Sequence, residues 1–190
     1  KKIEIINTAI EQNKVISFKY LEYDRKGKLV ARENGKTYYV SPYYLINNFS
    51  NYYLVCHRWP FENHSHFKVA YMSDIEVDRH DAKPLNEVQS LGNNFNISRY
   101  INDHIYMFGG NIINARIEVT EKGVTYFKDW FGDNAVIMDM GDRIEASIKS
   151  NEDAFFYWVL QYMEHVKVLQ PQTMIDKIVK TLEDKLAKYK

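Results

Sequence analysis

The sequence has little that would commit it to a compartment or a chemistry. It holds one cysteine, Cys56, in 190 residues. That excludes an internal disulfide and a cysteine-based zinc cluster, and it agrees with a reducing compartment. No apolar run approaches the roughly 18 to 20 residues that a membrane span requires. The opening KKIEIINTAI lacks the apolar core and the small-residue cleavage site of a signal peptide. A cytoplasmic protein with no membrane partner is expected. Net charge is also missing, because 25 basic residues balance 25 acidic ones. A broad field for gripping duplex nucleic acid is therefore excluded, and any such contact must be local. No glycine-rich phosphate loop is present either; FGGN and WFGD read as helix stops.

What is present is an ordinary folded composition, 45% hydrophobic and 26% charged. Ile3, Ile6, Ala9 and Ile10 keep helical spacing and predict a short helix over residues 1–12. VISFKYLEY (Val15 to Tyr23), KTYYVSPYYLI and NYYLVCHRW (Asn51 to Trp59) are β-branched and aromatic, and each predicts a strand. PFENHSH (Pro60 to His66) predicts a polar loop, and FKVAYMSDIEVDR a further strand. Short strands with frequent turns predict a small β-barrel over residues 13–81.

Residues 82–110 pattern weakly and read as a connector, with Asn96 or Ser98 able to cap a short helix ended by Gly109 and Gly110. From residue 111 the periods are cleaner. Ile113, Ala115, Ile117 and Val119 alternate with polar residues as a half-buried strand, and Val124, Phe127 and Phe131 keep helical spacing up to Gly132. AVIMDMGDRIEASIK predicts a hairpin turning at Met140-Gly141-Asp142. Ser150 and Asp153 form an S-x-x-D pattern opening a helix. HVKVLQP predicts a last strand, and Pro171 a final helix whose stripe is Ile175, Ile178, Val179, Leu182 and Leu186. The succession β-α-β-β-α-β-α predicts a ferredoxin-like arrangement with an extra helix over residues 111–190, and the chain as a whole an α+β protein.

YYVSPYYL (Tyr38 to Leu45) followed by YYLVC (Tyr52 to Cys56) resembles the core of a WYL domain, whose Trp-Tyr-Leu triplet appears here as Tyr52-Tyr53-Leu54. YMFGG, DWFG, FFYWVLQY and VLQP are similar to the WCX-type extension that accompanies WYL domains in bacterial transcriptional regulators. The resemblance implies an SH3-like or Sm-like barrel that senses an effector, and an extension that helps dimerise. It also implies a winged helix-turn-helix that contacts operator DNA and is absent from this sequence. A start at Lys1, inside an amphipathic pattern, fits a linker helix leading from such a domain. The implied effector is a nucleotide or single-stranded nucleic acid. One departure concerns the strand after the WYL triplet, where the family carries arginines thought to hold phosphate. Tyr71 and Asp74 occupy those positions here.

Candidate ligand-binding residues follow from the strand ends. His57, Arg58 and Lys68 supply donors for an anion, and Tyr43, Tyr53 or Tyr71 offers a face for a base. The competing reading makes these tyrosines barrel packing and the cations a solvated rim. Trp130, Phe131, Phe156 and Tyr157 exceed what a small core needs and read as a dimer interface. No metal site or cofactor is expected: His57, His64 and His66 include an H-x-H pair, but in a loop and with no assured third ligand. Cys56 and His57 are strand neighbours on opposite faces and cannot form a catalytic dyad. Asp139, Asp142 and Glu145 bracket a turn that explains the aspartates. No enzyme is expected. The alternatives are a constitutive oligomerisation scaffold and a standalone single-strand-binding module.

Overall fold

A computed structural model describes the chain apart from residues 49, 89, 90, 92–95, 97–99, 102, 103, 105 and 109 and the side chain of residue 133. The expected cap at Ser98 and stop at Gly109 lie outside the described residues. The protein is α+β, with two antiparallel sheets and four helices among the described residues. Its chain divides into two compact units, Lys1–Phe95 and Asn96–Lys190.

The first unit contains α1 (Lys2–Glu11), β1 (Lys14–Tyr23), β2 (Leu29–Ala31), β3 (Thr37–Asn48), β4 (Asn51–His57), β5 (His64–Lys68) and β6 (Met72–Asp81). Alternation along β1 sends Ile16 and Phe18 inward, both fully buried. They meet Tyr38 and Val40 of β3, Leu54 and Cys56 of β4, Phe67 of β5, Met72 and Ile75 of β6, and Ile6 and Ala9 of α1. Burying a side chain of this kind stabilises the fold by about 1.5–3 kcal/mol.

The strand order is β2-β1-β3-β4-β5, with β6 on β1. β5 and β6 do not pair among the described residues, so the sheet stays open where a barrel was expected. The cause lies in Val69–Tyr71, a 3-10 turn inside what reads as one continuous strand. It turns the chain so that β6 runs along β1, in a register shifted at two points. The expected Pro60 to His66 loop is shorter than its sequence suggests, because His64 already belongs to β5. The unit also runs past residue 81: Val88 and Leu91 are buried, and Lys83 N donates to Ser41 Oγ at 2.9 Å.

The second unit contains β7 (Ile112–Val119), α2 (Glu121–Phe131), β8 (Val136–Asp139), β9 (Ile144–Asn151), α3 (Glu152–Tyr162), β10 (Val166–Gln170) and α4 (Gln172–Leu186). Its sheet has the order β10-β7-β9-β8. Small Ala115 and Ala146 of the sheet share a core with Phe127 and Phe131 of α2, Phe155 and Trp158 of α3, and Met174 of α4.

The turn at Met140-Gly141-Asp142 is present, with Asp139 Oδ1 accepting from Gly141 N at 2.8 Å. The cap of α3 is displaced by one residue from the S-x-x-D reading. Asn151, not Ser150, accepts from Ala154 N at 3.0 Å, an amide oxygen being as good an N-cap as a hydroxyl. The expected stripe on α4 is only partly covered, for Val179, Leu182 and Leu186 are exposed and Met174 is the residue that enters the core.

Candidate ligand-binding site

One region of the first unit gathers cations and aromatic rings. β1 supplies Tyr20 and Tyr23, β3 supplies Tyr38, the end of β4 leads into Arg58 and Phe61, and β5 ends at Lys68 just before Tyr71. The Arg58 guanidinium lies 4.7 Å from the centre of the Tyr38 ring and 5.2 Å from that of Phe61. Tyr38 is 6.3 Å from Tyr20, and Tyr20 is 6.2 Å from Tyr71. Lys68 Nζ closes the row at 5.2 Å from the Tyr71 ring. Tyr23, 60% exposed, stands edge-on to Tyr71.

The two cations are held by rings rather than by carboxylates. Ion pairs in this unit engage the N-terminus, Lys14, Lys19, Arg32, Lys36 and His80. Neither Arg58 nor Lys68 has a carboxylate within 4.0 Å among the described residues. A cation over a ring gains about 0.5–2 kcal/mol yet keeps its N–H donors directed elsewhere. Such a guanidinium or ammonium is oriented and still able to take an anion.

The hydroxyls at the site are kept protonated. Burial raises the pKa of Tyr20, whose oxygen accepts from Lys68 N at 3.2 Å. Tyr38 is raised by burial and then by Glu33, to whose Oε1 it donates at 2.9 Å. Glu33 is held ionised by hydrogen bonds from Lys36 and Tyr38. It sits on a turn where both Glu33 and Asn34 have positive φ, at 50° and 57°. Left-handed backbone in two successive non-glycine residues costs on the order of 1 kcal/mol each, and the hydrogen bonds of Glu33 help to offset it.

Of the six expected ligand residues, Tyr53, Lys68 and Tyr71 come together. Tyr53 is the cross-strand partner of Lys68. Arg58 stands at the other end of the row. Tyr43 and His57 lie elsewhere: Tyr43 donates its hydroxyl to Lys83 O at 2.8 Å, tying down the chain beyond β6. His57 is 5% exposed, and its Nε2 donates to Phe61 O at 2.6 Å. Burial pushes the His57 pKa down, which keeps this ring neutral. Asp74, at one of the family's arginine positions, pairs with Lys19 at 3.3 Å.

Tyr20, Tyr38 and Phe61 were not singled out by the sequence. Tyr20 and Tyr38 occupy inward positions of apolar strands and so look like packing. The one available signal was R-E-N-G, Arg32 to Gly35, a polar turn just ahead of Tyr38.

Cys56 is fully buried, its thiol pushed far up by burial, and it faces the core, opposite to His57. In the second unit, Phe131 is fully buried and Phe156 is 7% exposed. Both were expected at a dimer interface, and both pack within the core of their own unit. Trp130 is half-buried and donates from Nε1 to Tyr162 Oη at 2.9 Å. Tyr157, at 54% exposed, is the outward-facing one, with Phe108 edge-on at 5.9 Å. Glu145 lies on β9, is 5% exposed and takes Arg143 Nε at 2.8 Å and Arg116 Nε at 3.6 Å.

Comparison with known families decides the kinship. Residues 1–77 match the WYL domain family and residues 111–186 the WCX domain family. The chain is a WYL-domain protein with a WCX domain. Among solved structures, one titled a CRISPR Cas-related protein superposes with a TM-score of 0.51 at 15% identity, over 99% of this chain and 52% of its own. Proteasome accessory factor B/C of Arthrobacter aurescens is similar at a TM-score of 0.40 and 13% identity, over 98% of this chain and 27% of its own. This WYL–WCX chain thus spans about half or less of those two structures. No curated protein sequence matches it. No helix among the described residues is long and apolar enough to cross a membrane.

Proposed function

We propose that this WYL–WCX chain is the effector-sensing and self-associating region of a bacterial transcriptional regulator, and that its effector is a nucleotide or single-stranded nucleic acid. The observation that carries the proposal is the row Arg58–Tyr38–Tyr20–Tyr71–Lys68, in which both cations are held over rings with no carboxylate within 4.0 Å among the described residues. A ligand with phosphate oxygens and a flat base satisfies both halves of that surface. Oxygens take the oriented N–H donors, while a base stacks on outward rings such as Tyr23 or Phe61. Phosphate alone would leave the rings unused, and an apolar ligand would bury two cations without partners.

We infer an SH3-like first unit and a ferredoxin-like second unit. A meander of short strands followed by a 3-10 turn and one more strand supports an SH3-like WYL unit. The sheet order β10-β7-β9-β8 with interleaved helices supports a ferredoxin-like WCX unit. Tyr157 and Trp130, linked through the rings of Phe108 and Tyr106, are the surface proposed to meet a second copy.

Regulation then requires that the effector bind two arrangements of the dimer unequally. Its leverage on operator DNA, through a DNA-binding domain outside this sequence, is limited to that difference in affinity. The role is binding, with no catalytic step. The test is a titration of the chain with labelled single-stranded DNA and a nucleotide panel, repeated with Arg58→Ala and Lys68→Ala. Saturable binding weakened by both substitutions is the expected result. No binding by the parent protein would leave a constitutive scaffold as the better account.

A further inference from the structure

Glu33 brings an acceptor to the edge of a site otherwise made of donors and rings. Its Oε1 accepts from Tyr38 Oη at 2.9 Å and its Oε2 from Lys36 Nζ at 2.8 Å. A carboxylate offers about four lone-pair directions, so these two bonds leave acceptor capacity on both oxygens. The Glu33 side chain is 41% exposed, whereas Tyr38, which holds it, is buried. The same Tyr38 ring carries the Arg58 guanidinium 4.7 Å above its centre. One buried ring thus spaces a cation on its face from a carboxylate on its hydroxyl. Hydrogen bonds from Lys36 and Tyr38, and the charges of Lys36 and Arg58, keep that carboxylate ionised.

The backbone is bent to present it. Glu33, Asn34 and Gly35 have φ of 50°, 57° and 80°. Left-handed backbone at two successive non-glycine residues is uncommon and recurs at ligand-contacting turns. A carboxylate repels phosphate, so Glu33 takes no part in gripping the backbone of an effector; what it attracts is an N–H donor. Guanine places two donors side by side, N1–H and the 2-amino group, at the spacing of two carboxylate oxygens. Adenine and cytosine each offer one amino group beside an unprotonated ring nitrogen, and thymine one N–H between two carbonyls. In those bases an acceptor would face a carboxylate oxygen.

On the reading that the effector is a nucleotide or single strand, we propose that Glu33 recognises the Watson–Crick edge of a guanine base, while Arg58 and Lys68 take the phosphates. Phosphate contacts position a strand and base contacts specify it, so Glu33 is the residue that makes the site selective. Tyr38 is a positioning residue, acting through the hydrogen bond that orients the carboxylate.

The test uses the whole chain and labelled thymine oligonucleotides of equal length that carry one central guanine, hypoxanthine, adenine or cytosine, read by fluorescence anisotropy. Charge and length are the same throughout, so only the base edge differs. Hypoxanthine is the decisive probe, since it is guanine without the 2-amino group. The guanine strand should bind about tenfold tighter than the other three. Glu33→Gln should abolish that preference, because its amide sets a donor against the donors of the base. Tyr38→Phe keeps the ring beneath Arg58 and should lower the ratio of guanine to hypoxanthine affinity; an unmoved ratio would remove the positioning role. Equal affinity for the guanine and hypoxanthine strands needs no variant and would overturn the proposal, as would a guanine preference that survives Glu33→Gln. In both cases the strands still bind and the effector reading stands. Absence of binding to all four strands would instead remove the effector reading, and this proposal with it.

Discussion

Arg58 is prepared for a ligand by what surrounds it. Its guanidinium is stacked between Tyr38 and Phe61 and has no carboxylate within 4.0 Å among the described residues. Arg58→Ala should leave the fold intact and weaken binding of single-stranded DNA about 10- to 150-fold, the equivalent of one charge-assisted hydrogen bond of about 1.5–3 kcal/mol. Fluorescence anisotropy checks it. His57 carries a prediction about pH. Its pKa is depressed below its ordinary value of 6.5 by burial, so the unfolded chain takes up a proton more readily than the folded one. The stability it contributes is present above about pH 6.5 and is lost as pH falls below it. Thermal unfolding of the parent protein should show a drop in Tm over that window, and His57→Phe should flatten it.

At the scale of elements, regular periods were legible and turns inside apolar runs were not. α1, β7, α2, β9 and α4 each carry an uninterrupted pattern with a recognisable stop, such as Gly132 at φ 56°. FKVAYMSDIEV has no glycine or proline to punctuate it, so the 3-10 turn at Val69–Tyr71 was invisible, and with it the placement of Tyr71 beside Lys68. The same blindness hid Tyr20 and Tyr38, because an inward tyrosine on a strand carries no mark that distinguishes a wall from a ledge.

Caps give two element-scale tests. Asn151→Ala should destabilise the chain by about 1 kcal/mol in urea unfolding, through loss of the bond to Ala154 N, whereas Ser150→Ala should cost less. Gly123→Ala should cost about 1–3 kcal/mol, because its new Cβ would lie 2.9 Å from His165 O, where Thr120 already bonds the same carbonyl.

For the whole molecule the governing fact is that charge cancels, 25 against 25. A neutral protein has no long-range field to gather nucleic acid, so binding must come from the few cations and rings at one place. That makes the salt dependence diagnostic. With Arg58 and Lys68 as the two phosphate contacts, log K should fall with log salt at a slope of about −1.4 for single strands, and each single substitution should reduce the slope by about half. A basic tract would give a far steeper line.

The most direct measurement is therefore the titration of the full chain with a labelled single-stranded oligonucleotide across a range of salt, alongside Arg58→Ala and Lys68→Ala. The account predicts saturable binding, a shallow slope near −1.4, and a loss of affinity in both variants at unchanged Tm. Failure to saturate at any salt concentration, or variants that bind as the parent does, would contradict it.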